Sequence, residues 1–428
     1  MSLMYQIVLI TYEFTFSPFS GNGILARSIV RSLLDLGCKV TIWCCQPHDR
    51  NSQSKDNHLD YPEISKEATR RLFVIPLKLN EDHGWRKLDK ESAWHFFSWD
   101  NMDSQQKKAL RNAVIESDVV CAIDWTGAKA FRSLGNLRKP LVYMNFRVYS
   151  SGVNCPELRS WFNKMENNAL QDASCVIALS EDDRLSLQSI SATSLSGSEI
   201  LLPPLRRDLE DSIALTKEEL YFHMPEPLIP SLRKHHRFIC CVVRLSEEKQ
   251  VLRFVRFIEQ VAEVLKDLNI IPLLAGAVAD VTYATQVKDE LRQVAPQALI
   301  LEGFLSPTEL AALFSKCILN FHPCAYDAYG MTIIEAAACG VPSVASSRDI
   351  GAVALLQESC FQIDLTRNIE NEISMECCQR IVDLICDSEK LSILAVGARK
   401  KAHAWNDIAY GKRLLQIISE VVLKFQSD

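Results

Sequence analysis

Short apolar runs alternate with amphipathic stretches along the whole chain, and the period switches repeatedly from strand-like to helix-like. QIVLIT reads as a buried strand, and ILARSIVRSLLDLG follows with apolar residues at helical spacing and Gly37 as its C-terminal stop. CKVTIWCC then predicts a second strand, which completes a βαβ unit, the building block of a parallel sheet. Five more strand-like runs, RLFVIPL, DVVCAID, PLVYMNF, SCVIAL and EILLP, alternate with helical segments such as NCPELRSWFNKMENNALQDA. An open α/β sheet is expected for this first half. The polar stretch from Gln46 to Arg70 interrupts it as a long loop or insertion.

A polar, proline-bearing passage from Arg206 to Arg237 reads as a linker. Beyond it the alternation restarts: RFICCVVRL, a helix in VLRFVRFIEQVAEVLK, IIPLLAG, a helix near Gln286 to Val294, ALIL, SPTELAALFSK, CILNFHP, MTIIEAAACG and PSVAS. The simplest reading is two doubly wound α/β domains in tandem, over 1–205 and 206–404. An amphipathic terminal helix over 405–428 is expected to join the first domain.

Composition narrows the class. With 48% apolar residues over 428 positions, two cores are affordable in size. The net charge of −6 argues against non-specific nucleic-acid binding as the main role. None of the 15 cysteines forms a C-x-x-C pair and several sit in strand-like runs, so buried thiols in a reducing compartment fit better than a disulfide frame or zinc site. MSLMYQIVLITYEF has no basic leader, and no run of about 20 apolar residues predicts a membrane span. The expectation is a soluble cytoplasmic protein, with peripheral membrane contact left open.

Open α/β sheets bind ligands beyond the carboxyl ends of their strands, so those loops are where chemistry is sought. Gly21-Asn22-Gly23 follows the first strand; it lets backbone approach a phosphate, or it is a plain tight turn, since Ala26 spoils a G-x-G-x-x-G fingerprint. Arg244 and Lys249 in VVRLSEEKQ could neutralise a diphosphate, or be surface cations of a helical turn capped by Ser246. In HPCAYDAYGMTIIEAAACGVP, Asp327 and Glu335 stand eight positions apart around a helix start at Gly330 and Met331. Carboxylates there can accept hydroxyl hydrogen bonds while helix amides cradle phosphate oxygens; an exposed loop acid plus a helix acid is the plainer alternative. Asp124, Arg147 and Glu166 are polar residues near strand ends of the first half.

Taken in order, the G-x-G loop, A-x-D-W, the segment Glu166 to Ser180, R-L-S-x-E-K from Arg244 to Lys249, L-A-G from Leu274 to Gly276, and Y-D-A-Y-G-M-T-I-I-E-A-A-A-C-G-V-P resemble retaining glycosyltransferases of family 4. The resemblance spans most of the chain and is sharpest from Arg244 to Pro342. It implies a GT-B architecture, two Rossmann-like domains facing across a cleft, with the nucleotide sugar mostly on the second and the acceptor mostly on the first. It further implies that Asp327 meets the sugar hydroxyls, Glu335 the ribose, and Arg244 and Lys249 the diphosphate. Amides of Gly330, Met331, Thr332 and Ile333 would assist, with Gly21 and Gly23 close to the donor. Asp327, Arg244 and Lys249 carry the catalytic assignment, and Asp124, Asn145 and Arg147 the acceptor or sugar side.

Three positions depart from the family pattern. Asp327 stands for the usual Glu, Val243 for a Gly before the phosphate-motif Arg, and Asn145, Phe146 and Arg147 occupy the neighbourhood of a usual His. The expected activity is transfer of a hexosyl group from a UDP- or GDP-linked sugar to an acceptor hydroxyl, without a cofactor. With two cations and no D-x-D pair, no metal is expected. The acceptor, whether glycan, lipid, small molecule or macromolecule, is left unassigned. Two alternatives stand beside this reading: a nucleotide-sugar epimerase or hydrolase on the same fold, and a non-catalytic glycosyltransferase-like subunit.

Overall fold

The central apolar runs become parallel strands covered on both faces, while edge strands such as Ser198–Ile200 stay partly open. The computed structural model describes residues 5–14, 21–46, 64–78, 102–135, 137–152, 155–191, 197–232, 236–346, 350–365 and 371–427. Within it the chain divides into two units, Met1–Pro204 with Asp407–Asp428, and Leu205–Asn406.

The first unit holds β1 (Gln6–Glu13), β2 (Lys39–Gln46), β3 (Leu72–Lys78), β4 (Val119–Ile123), β5 (Leu141–Met144), β6 (Cys175–Ala178) and β7 (Ser198–Ile200). Every residue of β4, β5 and β6 is buried, the pattern of a parallel sheet with helices on both faces. The strand order is β3-β2-β1-β4-β5-β6-β7. Leu9 of β1 lies opposite Ile42 of β2 on one side and Cys121 of β4 on the other. Order therefore reverses between β1 and β4, which opens a crevice at their carboxyl ends.

The second unit repeats the design with β8 (Arg237–Val242), β9 (Ile270–Gly276), β10 (Leu299–Glu302), β11 (Cys317–Phe321), β12 (Ser343–Ser346) and β13 (Phe361–Ile363). Its order is β10-β9-β8-β11-β12-β13, so the reversal falls between β8 and β11. The helix Leu252–Asp267 packs Phe254 and Phe257 onto Phe321 of β11, the second pair stacked at 5.1 Å between ring centroids. These two units give the two Rossmann-like parallel-sheet domains expected from the sequence.

One expectation is corrected. The passage from Arg206 to Arg237 is no linker: it folds as the helices Arg207–Ile213, Lys217–Phe222 and Ile229–Leu232 and belongs to the second unit. Leu209 and Leu228 are fully buried and anchor it, and a reciprocal capping box between Thr216 and Glu219 starts the middle helix. Helices this short bury only one or two residues each, as Leu209 and Ser212 in the first and Leu220 in the second, so their periodicity is swamped by polar positions. The stretch 47–63, expected as a loop, lies outside the described residues, while Lys66–Thr69 forms a single helical turn.

The terminal helix Asp407–Ser427 belongs to the first unit and buries Tyr410, Leu414, Ile417 and Ile418. At its start Asp407 forms an ion pair with Arg31 of the helix Gly21–Asp35, the side chains being 6% and 5% exposed. Removing one member of such a pair strands the other charge in the core, at a cost of about 3–5 kcal/mol. Asp407→Ala should accordingly lower unfolding stability by about that amount in urea titrations, and Arg31→Met/Asp407→Leu should recover most of it.

Candidate functional site

The reversal between β8 and β11 brings two loops together. Lys249, seven residues past β8, extends its ammonium to Oδ2 of Asp327 in the loop after β11, at 2.7 Å. His322, the first residue past β11, places Nε2 3.3 Å from the same oxygen and is only 2% exposed. Burial alone would raise the Asp327 carboxyl, but Lys249 and His322 outweigh it and hold it well below the usual carboxylate range. Burial lowers His322, and the neighbouring Cys324 and Asp327 reverse that and raise it to about 9. Lys249 is likewise raised: Asp327 overcomes the burial that opposes its charge. Asp327 is thereby fixed as an ionised hydrogen-bond acceptor.

Beside this cluster the helix Met331–Ala338 begins at Gly330, whose φ of +78° is the left-handed conformation glycine permits. A Cβ there would also stand 2.8 Å from Ile350 and 2.9 Å from Ile333. No side chain caps this end and no acid lies in its first turn, in contrast to the reciprocal box of Ser306 and Glu309 on the helix Pro307–Phe314. Its first amides, at Met331 and Thr332, remain available to an anion. Glu335, one turn further on, is buried and accepts a hydrogen bond from Arg206 Nη1 at 3.3 Å. Burial raises the Glu335 carboxyl and Arg206 offsets part of the rise. Arg206 in turn holds Asp208 through two parallel bonds of 2.6 and 2.8 Å.

The first unit carries a second polar centre at its own reversal. Asp124 directly follows β4 at φ 54°, a strained backbone for a residue with a side chain. Its Oδ2 accepts from Asn22 Nδ2 at 2.7 Å and from the Tyr149 hydroxyl at 3.0 Å, and its Oδ1 from the Phe146 amide at 2.8 Å. Burial raises Asp124 to about 6 against these bonds. Glu166 accepts from the Tyr149 amide and the Ser150 hydroxyl, each at 2.6 Å, and burial lifts it to about 7. Arg147 lies over the Tyr149 ring at 5.7 Å. Asn145 is fully buried and donates to the Tyr143 hydroxyl at 2.9 Å.

Lys249 and Asp327, named from sequence, are thus brought into contact. Gly330, Met331, Thr332, Ile333 and Glu335 form the adjoining helix start. Arg244 instead forms an ion pair with Glu248 at the rim of the same loop. Gly21 and Gly23 lie within the first turn of the helix Gly21–Asp35, and a Cβ on Gly23 would meet the Glu13 side chain at 2.6 Å. That glycine accommodates a resident carboxyl group. Asn22, between them, reaches Asp124. Arg206 and His322 escaped the sequence reading; His322 stood in the quoted motif five positions before Asp327, the one signal that could have found it. His322, Cys324 and Asp327 are also the group among the described residues able to hold a metal ion, with ligand atoms within 4.8 Å of one another. The Lys249 ammonium already neutralises that carboxylate.

Residues 229–358 match the family model of glycosyl transferases group 1. The matched stretch contains Arg244, Lys249, His322, Asp327 and Glu335. Among solved structures, sucrose-phosphate synthase from Thermosynechococcus elongatus is similar at 15% identity and TM-score 0.68, over 98% of this chain and 99% of that one. The Anabaena protein HepE, in complex with UDP and glucose, is 15% identical at TM-score 0.67, over 97% and 100% of the two chains. An E. coli trehalose-6-phosphate structure bound with UDP-2-fluoro glucose has 12% identity and TM-score 0.71, over 96% and 98%. At such identities the likeness concerns the fold, which is GT-B. No curated protein matches in the sequence search.

Raised carboxyl groups make stability pH-dependent in a direction that follows from linkage. Because Glu166 binds its proton more tightly folded than unfolded, its contribution is fully present below about 4.5 and is lost as pH rises through about 7. Asp124 adds a similar loss between 3.8 and about 6. Glu166→Gln, which keeps the acceptor oxygen for Tyr149, should flatten the melting temperature between about pH 4.5 and 7 and stabilise the protein at pH 8 by roughly 2–3 kcal/mol.

Proposed function

We propose that the protein is a retaining glycosyltransferase that moves a hexosyl group from a UDP- or GDP-linked sugar to an acceptor hydroxyl without a bound divalent metal. The observation carrying this reading is the convergence of Lys249, Asp327 and the uncapped start of the helix Met331–Ala338 at the β8/β11 reversal. Breaking the bond between the anomeric carbon and the phosphate oxygen leaves negative charge on a nucleoside diphosphate. Lys249, Arg244 and the amides of Gly330, Met331 and Thr332 can stabilise it most strongly as it develops, whereas the Ile333 amide, expected to assist, already donates to the Gly330 carbonyl at 3.0 Å. These cations supply the charge a metal would otherwise bring.

Asp327 acts here as an acceptor of sugar hydroxyls rather than as a nucleophile, because one oxygen is already committed to Lys249 and His322. Glu335, backed by Arg206, is assigned to the ribose hydroxyls. In retention the acceptor oxygen bonds the anomeric carbon on the face the diphosphate leaves, and the departing phosphate oxygen takes the acceptor proton. Asp124, Asn145 and Arg147 are assigned to the acceptor or sugar side. The complexes of HepE with UDP and glucose and of the E. coli structure with UDP-2-fluoro glucose make UDP-glucose the first donor to test.

No helix among the described residues is long and apolar enough to cross a membrane. Fifteen free thiols suit a reducing compartment, and the cytoplasm is the proposed location. UDP-glucose and GDP-mannose, incubated in chelator with and without a panel of sugar, lipid and glycoside acceptors, separate the readings by product. Transfer with retained anomeric configuration is expected, and Lys249→Ala and Glu335→Ala should each lower it by about 10²–10³-fold while circular dichroism stays native. Full activity in both variants would overturn the donor-site assignment, and sugar release or epimerisation without acceptor would replace transfer by hydrolysis or epimerisation.

A further inference from the structure

His322 belongs to none of the roles assigned above, yet it is 2% exposed and its ring lies against the site carboxylate. Asp327 makes its contacts with Lys249 and His322 through the same atom, Oδ2. No described residue bonds its other oxygen, Oδ1, and the side chain is 17% exposed. The carboxylate therefore has a committed oxygen and an open one.

Two contacts are needed to keep it so. The carboxyl torsion of Asp is broad and two-fold, and a lysine ammonium is a point charge on a flexible stem that follows whichever oxygen turns toward it. An imidazole buried at the end of β11 cannot follow, because its ring is held by the core around it.

We propose that His322 is a positioning residue: with Lys249 it locks Oδ2 of Asp327, so that Oδ1 alone is presented to a hydroxyl of the donor's sugar. The inference rests on the reading of this cluster as a donor site. It makes His322 matter for the sugar and not for the nucleotide, a distinction that a purely structural role would not produce.

Calorimetric titration of UDP and UDP-glucose, with GDP and GDP-mannose as the second pair, into wild type, His322→Gln, His322→Leu, Asp327→Asn and the double variant His322→Leu/Asp327→Asn tests it. Expected is about a tenfold loss for the sugar nucleotide in His322→Leu, with the parent nucleotide changed less than twofold. His322→Gln, whose side-chain amide keeps a polar N–H group beside Oδ2, should recover part of the loss, and the double variant should be no weaker than Asp327→Asn alone. Equal losses for nucleotide and sugar nucleotide, or no loss for either, would overturn the positioning role while leaving the donor site standing. Failure of the wild type to bind any of the four ligands would overturn the donor site itself, and the inference with it.

Discussion

An ionised carboxylate withdrawn from water must find positive charge or hydrogen-bond donors within reach, and in the second unit that requirement falls on Asp327. Its partners come from two loops far apart in sequence: Lys249 follows β8 and His322 follows β11, strands that lie side by side only because the order of the sheet reverses there. Without the βαβ winding these residues would not meet. The uncapped start of the helix Met331–Ala338, four residues after Asp327, adds backbone donors to the same crevice. Ion pair, helix start and strand order are thus one arrangement, and the proposed chemistry depends on all three.

The first unit places a carboxylate at the corresponding reversal and treats it in the opposite way. Asp124, after β4, meets Asn22 from the helix that follows β1, together with a tyrosine hydroxyl and a backbone amide. These are mostly neutral donors, so burial prevails and the group rises to about 6. Asp327 has cations on it and falls below the usual range although it too is largely withdrawn from water, its side chain being 17% exposed. Equivalent places in two copies of one topology therefore yield a carboxyl able to exchange a proton near neutrality and one fixed as an anion. The difference lies in the charge of the partner.

Strands were readable from the sequence because parallel strands buried on both faces are continuous apolar runs, as in VVCAI and LVYM. Lys249, Asp327, Gly330 and Glu335 were readable as candidates because they sit in short motifs at strand ends. The contact between Lys249 and Asp327 was not, since 78 positions separate them and only the strand order closes the gap. Arg206 was lost for a related reason. Its partner Glu335 is 129 positions away, and the short helices around it bury too few residues to announce themselves as structure. His322 carried a weak local signal, because a histidine after a strand is compatible with packing until its distance to a carboxylate is known. Asn22 stood in a glycine loop that suggested phosphate, whereas folding turns it toward Asp124.

The most direct measurement is thermal unfolding in the presence of UDP, GDP, ADP and their common sugar conjugates, with and without chelator, for the wild type and Lys249→Ala. A ligand that binds only the folded state at a hundredfold excess over its dissociation constant adds roughly 2.7 kcal/mol, a readily visible shift. The account predicts a shift with one nucleotide family, unchanged by chelator and lost in Lys249→Ala. Absence of any shift in the wild type, or a shift that survives in Lys249→Ala, would contradict it.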